Sequence, residues 1–196
     1  MKKKEGNVII LSAPSGTGKT TICNMLKVKA PNIQFSISHT SREPREGEQD
    51  GVDYHFITEE DFQNKIEDDE FLEWAKIHDF YYGTTLEVVN KLKEQGSTQI
   101  MELDTQGVES LRTMDFKAVY IFILPPSLKD LEKRLIKRGS EPLHKIKERI
   151  EVGKREIMKY TLYDYVVTNM EVDETVSIIQ SIIRAEEYRT ARFLPN

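Results

Sequence analysis

Residues Ala13-Pro14-Ser15-Gly16-Thr17-Gly18-Lys19-Thr20-Thr21 stand between a short apolar run and a stretch with helical spacing. The run before them, "NVIILS" (Asn7 to Ser12), is rich in β-branched residues, and "TTICNMLKVK" after them sets Ile22, Met25 and Leu26 on one helical face. The chain therefore turns from strand to helix through a glycine loop. Such a turn aims the backbone N–H groups of roughly Ser15 to Thr20 at a common centre and adds the positive end of the helix dipole, which suits a phosphate. The pattern G-x-x-x-x-G-K-[ST] assigns Lys19 to the β- and γ-phosphates of a nucleoside triphosphate and the Thr20 hydroxyl to the shell of a magnesium ion. Ala13 stands where the pattern has its first glycine. Alanine is compatible there if its φ is negative and its methyl turns away from the phosphates, while Gly16 and Gly18 keep the close approach.

Further apolar runs at "TQIMELD" (Thr98 to Asp104), "AVYIFILPP" (Ala118 to Pro126) and "DYVVTN" (Asp164 to Asn169) read as strands buried on both faces. They alternate with helical segments near Val108 to Met114, Leu128 to Arg138 and Val172 to Arg192. Ser127 followed by Asp130 has the spacing of a capping box at the start of the second. Strand and helix in alternation predict an α/β fold: a parallel sheet flanked by helices.

The 196 residues suffice for one core with inserted subdomains but are short for two independent domains. A net charge of −5 argues against a nucleic-acid partner gripped through general basicity. The single cysteine, Cys23, excludes an internal disulfide and fits a reducing compartment, so a cytoplasmic location is expected. The lysines and apolar run at the start resemble a secretory leader, but the run is short and leads straight into the phosphate loop. No apolar run reaches membrane-spanning length, and no membrane partner is expected.

Residues from about 35 to 89 have a different texture, with aromatic and polar residues alternating in short pieces, which predicts a small mixed or antiparallel insertion. "RGSEPLHKIKER" (Arg138 to Arg149) is polar and basic and reads as a mobile flap. Within the insertion, Arg42 and Arg45 flank Pro44 and could form a fork for a second phosphate, although two arginines alone more often mark a solvated surface.

Four segments supply the context: "SAPSGTGKT", "TSREPREGEQDGVDYHF", "EFLEWAKIHDFYYGTT" and "MELDTQGV". Their order and content resemble the guanylate kinases, from about Val8 to Asn169, and bacterial-type members of that family commonly carry alanine at the first glycine position. The resemblance implies a phosphate-loop kinase fold with a core (1–34 and 90–196), a GMP-binding insertion (about 35–89) and a lid (about 138–150). It implies transfer of phosphate from ATP to GMP with Mg²⁺, as a monomer or homo-oligomer. Carried over by position, Ala13 to Thr21 bind ATP, with Thr20 at the metal. Arg42, Arg45, Tyr54 and Tyr82 grip the GMP phosphate, and Ser38, Glu73, Thr84, Glu102 and Asp104 surround the acceptor nucleotide. Lys19, Arg42, Asp104, Arg134, Arg138 and Arg149 form the catalytic set.

The Glu73 assignment also has a chemical reason, although without the resemblance Glu73, beside Glu70 in an acidic stretch, reads as a surface strand residue. Guanine offers N1–H and the 2-amino group side by side as donors, so one carboxylate accepts both, whereas adenine presents an acceptor at N1 that the carboxylate repels. Asp104, at the end of a strand, has a plainer alternative as a helix cap. His39, His55, His78 and His144 lack metal-ligand spacing, and Trp74 is expected to pack the core of the insertion. Two rivals remain: an interaction module of the same fold, against which Gly16, Gly18 and Lys19 speak, and a kinase for another monophosphate, against which Glu73 speaks.

Overall fold

A computed structural model describes residues 6–77, 79–94, 97–137 and 143–189. Five strands form an entirely parallel sheet: β1 (Val8–Ser12), β2 (Gln34–Phe35), β7 (Gln99–Glu102), β8 (Val119–Leu124) and β9 (Tyr165–Thr168). Their order is β2-β7-β1-β8-β9, with β1 at the centre. The sheet is buried on both sides, which is why its strands read as unbroken apolar runs rather than alternating ones. Ile9, Leu11, Ile121 and Ile123 face one layer, where α1 (Lys19–Lys29) and α7 (Val172–Glu187) supply Ile22, Leu26, Val176 and Ile179. Val8, Ile10, Tyr120 and Phe122 face the other, against Val108 and Leu111 of α4 (Thr105–Thr113) and Val89 of α3 (Leu86–Glu94). The predicted α/β architecture is thus present, and no described helix is long and apolar enough to cross a membrane.

A second sheet holds β3 (His39–Thr40), β4 (His55–Phe56), β5 (Phe71–Ile77) and β6 (Phe80–Thr85) in the order β4-β3-β6-β5. It is mixed, since β3 and β4 run parallel while β6 is antiparallel to both its neighbours. Helix α2 (Glu59–Glu67) covers it, and Phe62 stacks on Phe71 and Tyr81 at centroid distances of 4.4 and 5.3 Å. Thr58 caps α2 by accepting from Asp61 N, and Ser127 caps α5 (Leu128–Lys137) by accepting from Asp130 N.

Several sequence expectations change. Phe35 belongs to the main sheet, paired with Ile100, and α3 went unanticipated. Trp74, expected in a core, is 43 % exposed on the outer face of β5. The segment read as a flap is helical from Leu143 onward, because α6 (Leu143–Ile157) is continuous; residues 138–142 lie outside the described set. Ile146, Ile150 and Gly153 recur at helical spacing and meet Leu131 and Leu135 of α5, a pattern hidden among charged neighbours.

Candidate active site: a cleft between the two sheets

The phosphate loop leaves the C-terminal end of the central strand, the edge at which parallel sheets bind ligands. Gly16 and Gly18 adopt φ of 91° and 105°, a left-handed conformation that penalises any Cβ. Gly18 caps α1 without a side chain, so no side-chain acceptor occupies the first amides of that helix. The loop is braced from behind. Thr17 O accepts from Arg134 Nη1 (2.6 Å) and Asn169 Nδ2 (2.8 Å), and Asn169 Oδ1 accepts from Thr175 Oγ1 (3.1 Å). Arg134, which the resemblance places in the catalytic set, here holds the loop backbone. Lys19 donates to Leu103 O at 3.3 Å, across to the end of β7.

A cleft of about 540 Å³ separates this loop from the second sheet. Ala13 to Gly16, Gly18, Lys19 and Thr20 line one wall; Ser38, Arg45, Tyr54, Glu73 and Tyr82 line the other, with Glu102 and Asp104 at its floor. Thr17, Thr21, Arg42, Thr84 and Arg134 are not part of this lining, and Arg138 lies outside the described residues. The fold thus brings together pieces separated by most of the chain.

On the far wall, Glu73 sits opposite Thr84 in the β5–β6 ladder, and Ser38 Oγ and Thr84 Oγ1 are hydrogen-bonded at 3.1 Å. Glu73 is only 6 % exposed. Burial raises its carboxyl to about 7, and Asp104 adds to the rise against the opposing pull of Thr84 and Lys19. This carboxyl lines the cleft, and among the described residues it makes no ion pair, Lys19 acting on it only from a distance, the environment expected of a group awaiting a ligand with paired donors. Burial, followed by Glu102 and Tyr82, pushes the Tyr54 phenol to about 12, so it stays a hydrogen-bond donor. Asp104 does cap α4, accepting from Gly107 N at 2.8 Å, and it faces the cleft as well. The two readings of Asp104 are compatible. Cys23 is buried in α1 and inert: burial and then Glu102 hold its thiol well above the ordinary value.

Sequence reasoning missed Glu48. Its Oε1 accepts from Arg42 Nη2 at 3.0 Å, and its Oε2 lies 2.9 Å from Arg42 Nη1 and accepts from Arg45 N at 2.8 Å. Burial alone would raise this carboxyl, but Arg42 and Arg45 overcome it and hold it below the usual range. Glu48 grips the end of the guanidinium, Arg42 Nη1 also donates to Glu43 O at 2.6 Å, and Arg42 Nε is buried with no acceptor among the described residues, outside the cleft lining. In "SREPREGEQD" this acid reads as one more surface charge. Glu48→Gln should raise the KM of a phosphate-bearing acceptor roughly tenfold, the loss of one charge-assisted bond, with kcat little changed. Steady-state kinetics decide it; a lower KM would mean that Glu48 competes with the phosphate instead of orienting Arg42.

Helix α6 also reaches the loop. Arg149 Nη2 donates to Ser15 Oγ, and the Glu156 carboxyl accepts from the Ser15 backbone and faces the cleft, raised above its ordinary value mainly by burial. Glu156 was not anticipated either, since an acid in a charged helix carries no local signal. Among the described residues no group of three or more His, Cys, Asp or Glu could hold a metal unaided. The Thr20 hydroxyl and the Glu102 and Asp104 carboxylates are hard oxygen donors on one cleft, which fits magnesium bound chiefly through phosphates and water.

The guanylate kinase family model matches residues 5–186. The chain is 45 % identical over 190 residues to the guanylate kinase of Caldanaerobacter subterraneus, covering 97 % of this chain and 92 % of that one. It is 43 % identical over 194 residues to the guanylate kinase of Shouchella clausii, covering 99 % and 95 %. The crystal structure of guanylate kinase from Anaplasma phagocytophilum superposes with a TM-score of 0.80 at 31 % identity, over 97 % of this chain and 90 % of that one. A phosphate loop on one wall, a buried carboxyl and an arginine fork across from it, and these likenesses over nearly the whole chain have one common source: the chain belongs to the guanylate kinase family.

Proposed function

We infer that this chain transfers the γ-phosphoryl group of ATP to the phosphate of GMP, giving ADP and GDP, and that it does so in the cytoplasm with Mg²⁺. The observation that carries the reading is the single cleft with a phosphate loop on one wall and, on the other, the buried Glu73 beside Arg45, Tyr54 and Tyr82. ATP phosphates would lie in the amides of Ser15 to Thr20 with Lys19 on the β- and γ-groups. The GMP phosphate would lie on Arg45 and, once the side chains over it shift, on Arg42, with the Tyr54 and Tyr82 hydroxyls donating. Glu73 would accept both donors of the guanine edge, and the Ser38–Thr84 hydroxyl pair would line the base.

The acceptor phosphate is already largely ionised near neutral pH, its second pKa being about 6, so no strong base is needed. Catalysis is then positioning and charge neutralisation. Lys19, Arg42 and Arg149 supply cations around the reacting oxygens, with Arg134 and Arg138 as the remaining members of the set. Magnesium, when bound, would offset phosphate negative charge, and Thr20 and Asp104 would hold its shell. We take the core, the GMP-binding insertion and the lid as units that approach one another to exclude water.

An ADP-release assay with a panel of monophosphates tests this. Turnover should be strongest with GMP and weak with AMP, CMP and UMP. Equal turnover of AMP would sink the guanine assignment, and no turnover at all would favour a binding module of the same fold.

A further inference from the structure

Gly107 is the third residue of α4, buried, with its N–H committed to Asp104 Oδ1 at 2.8 Å. A Cβ built on it would stand 2.8 Å from Glu73 Oε2, 3.5 Å from Glu73 Cδ and 3.5 Å from Asp104 Oδ1. Ordinary carbon–heavy-atom contacts begin near 3.5 Å, so the shortest of these demands a displacement of more than half an ångström. The atoms in the way are the ends of side chains. Backbone cannot yield as cheaply: α4 is pinned by its Asp104 cap, and the Glu73 main chain is held in the ladder opposite Thr84. The group that must move is the Glu73 carboxyl.

We propose that Gly107 is a specificity-determining residue: its missing side chain is what seats the Glu73 carboxyl at the guanine edge. This rests on the reading of Glu73 as the acceptor of guanine's two donors. Two parallel hydrogen bonds tolerate about 0.5 Å of misplacement, so a methyl at 107 reaches the limit of a productive geometry while leaving the packed core intact. The position also runs against local preference, since alanine is the better former inside a helix, and glycine here weakens α4. A merely structural glycine and one that positions Glu73 therefore differ in their signatures.

The test is to compare the wild-type enzyme with Gly107→Ala, Glu73→Gln and the double variant, measuring kcat and KM for GMP and for IMP, KM for ATP, and the melting temperature. IMP lacks the 2-amino group, so the GMP/IMP ratio reads the second contact of the carboxyl. Gly107→Ala should raise the GMP KM about tenfold and narrow the GMP/IMP ratio, with ATP KM held and the melting temperature equal or higher. Added to Glu73→Gln it should have no further effect on GMP, because both act through one carboxyl. A GMP KM within twofold of wild type in Gly107→Ala, while Glu73→Gln is impaired, overturns the proposal. So does a lower melting temperature with ATP and GMP affected alike, which is the mark of a spacer. If Glu73→Gln itself leaves GMP kinetics unchanged, the guanine reading fails, and the proposal falls with it for that separate reason.

Discussion

Lys19→Ala should lower kcat by roughly 10²- to 10³-fold, the usual cost of removing one preorganised cation or donor from developing charge. The side chain makes one long hydrogen bond, 3.3 Å to Leu103 O, and is part-exposed on the cleft, so little of the fold depends on it. The melting temperature should stay within a few degrees of wild type. A coupled assay beside a thermal melt checks both halves: near-normal turnover would refute the role on the phosphates, and a collapsed melt would show that Lys19 is structural.

Glu73→Gln carries the second large effect, and it has opposite signs for function and stability. A glutamine offers one acceptor and one donor where guanine needs two acceptors, so a donor faces a donor in a buried site. The ratio of kcat/KM for GMP over AMP should fall by about 10²-fold or more, and an unchanged ratio would count decisively against the proposed contacts. Stability moves the other way. Burial holds the Glu73 carboxyl near 7 against an ordinary 4.5, so the folded chain binds a proton that the unfolded chain has released between those values. A carboxyl raised on folding contributes stability that is present below pH 4.5 and is lost as pH rises through about 7; the loss approaches about 3 kcal/mol at pH 8. Glutamine has no such dependence. The variant should therefore melt several degrees above wild type at pH 8, with the gap shrinking toward pH 5. A variant less stable than wild type at pH 8 would refute the unfavourable burial of this charge, which is the signature of a residue kept for binding rather than for folding.

The same residue shows how far the chain can be read without coordinates. Guanine's donor pattern explains why an acid is wanted, but nothing near Glu73 in the sequence distinguishes it from Glu70, which lies exposed in the same acidic stretch. Pairing with Thr84 turns one inward; contact with Lys65 at 2.7 Å keeps the other outside. Glu48 and Glu156 escaped for a related reason. Each is one charge among many on a polar segment, and each matters only because the fold brings a partner beside it: Arg42 and the Arg45 backbone for Glu48 through a local turn, and the distant Ser15 backbone for Glu156. The helix over Leu143–Ile157 escaped for a different reason: the apolar positions of α6 are few, and their spacing becomes meaningful only when Leu131 and Leu135 are there to meet them.

By itself the sequence determined the phosphate loop, the alternation that makes a parallel sheet, the cap at Ser127, and, through four ordered segments, the family. These are matters of short range, where period, glycine conformation and capping chemistry act within a few residues of one another. Only the tertiary structure decided which acids face the cleft, that Arg134 braces the loop from behind, and that Gly107 packs against the Glu73 carboxyl. Those depend on contacts across 34 residues from Glu73 to Gly107 and 117 from Thr17 to Arg134, and burial and distance at that range exist only once the two sheets have closed around the cleft.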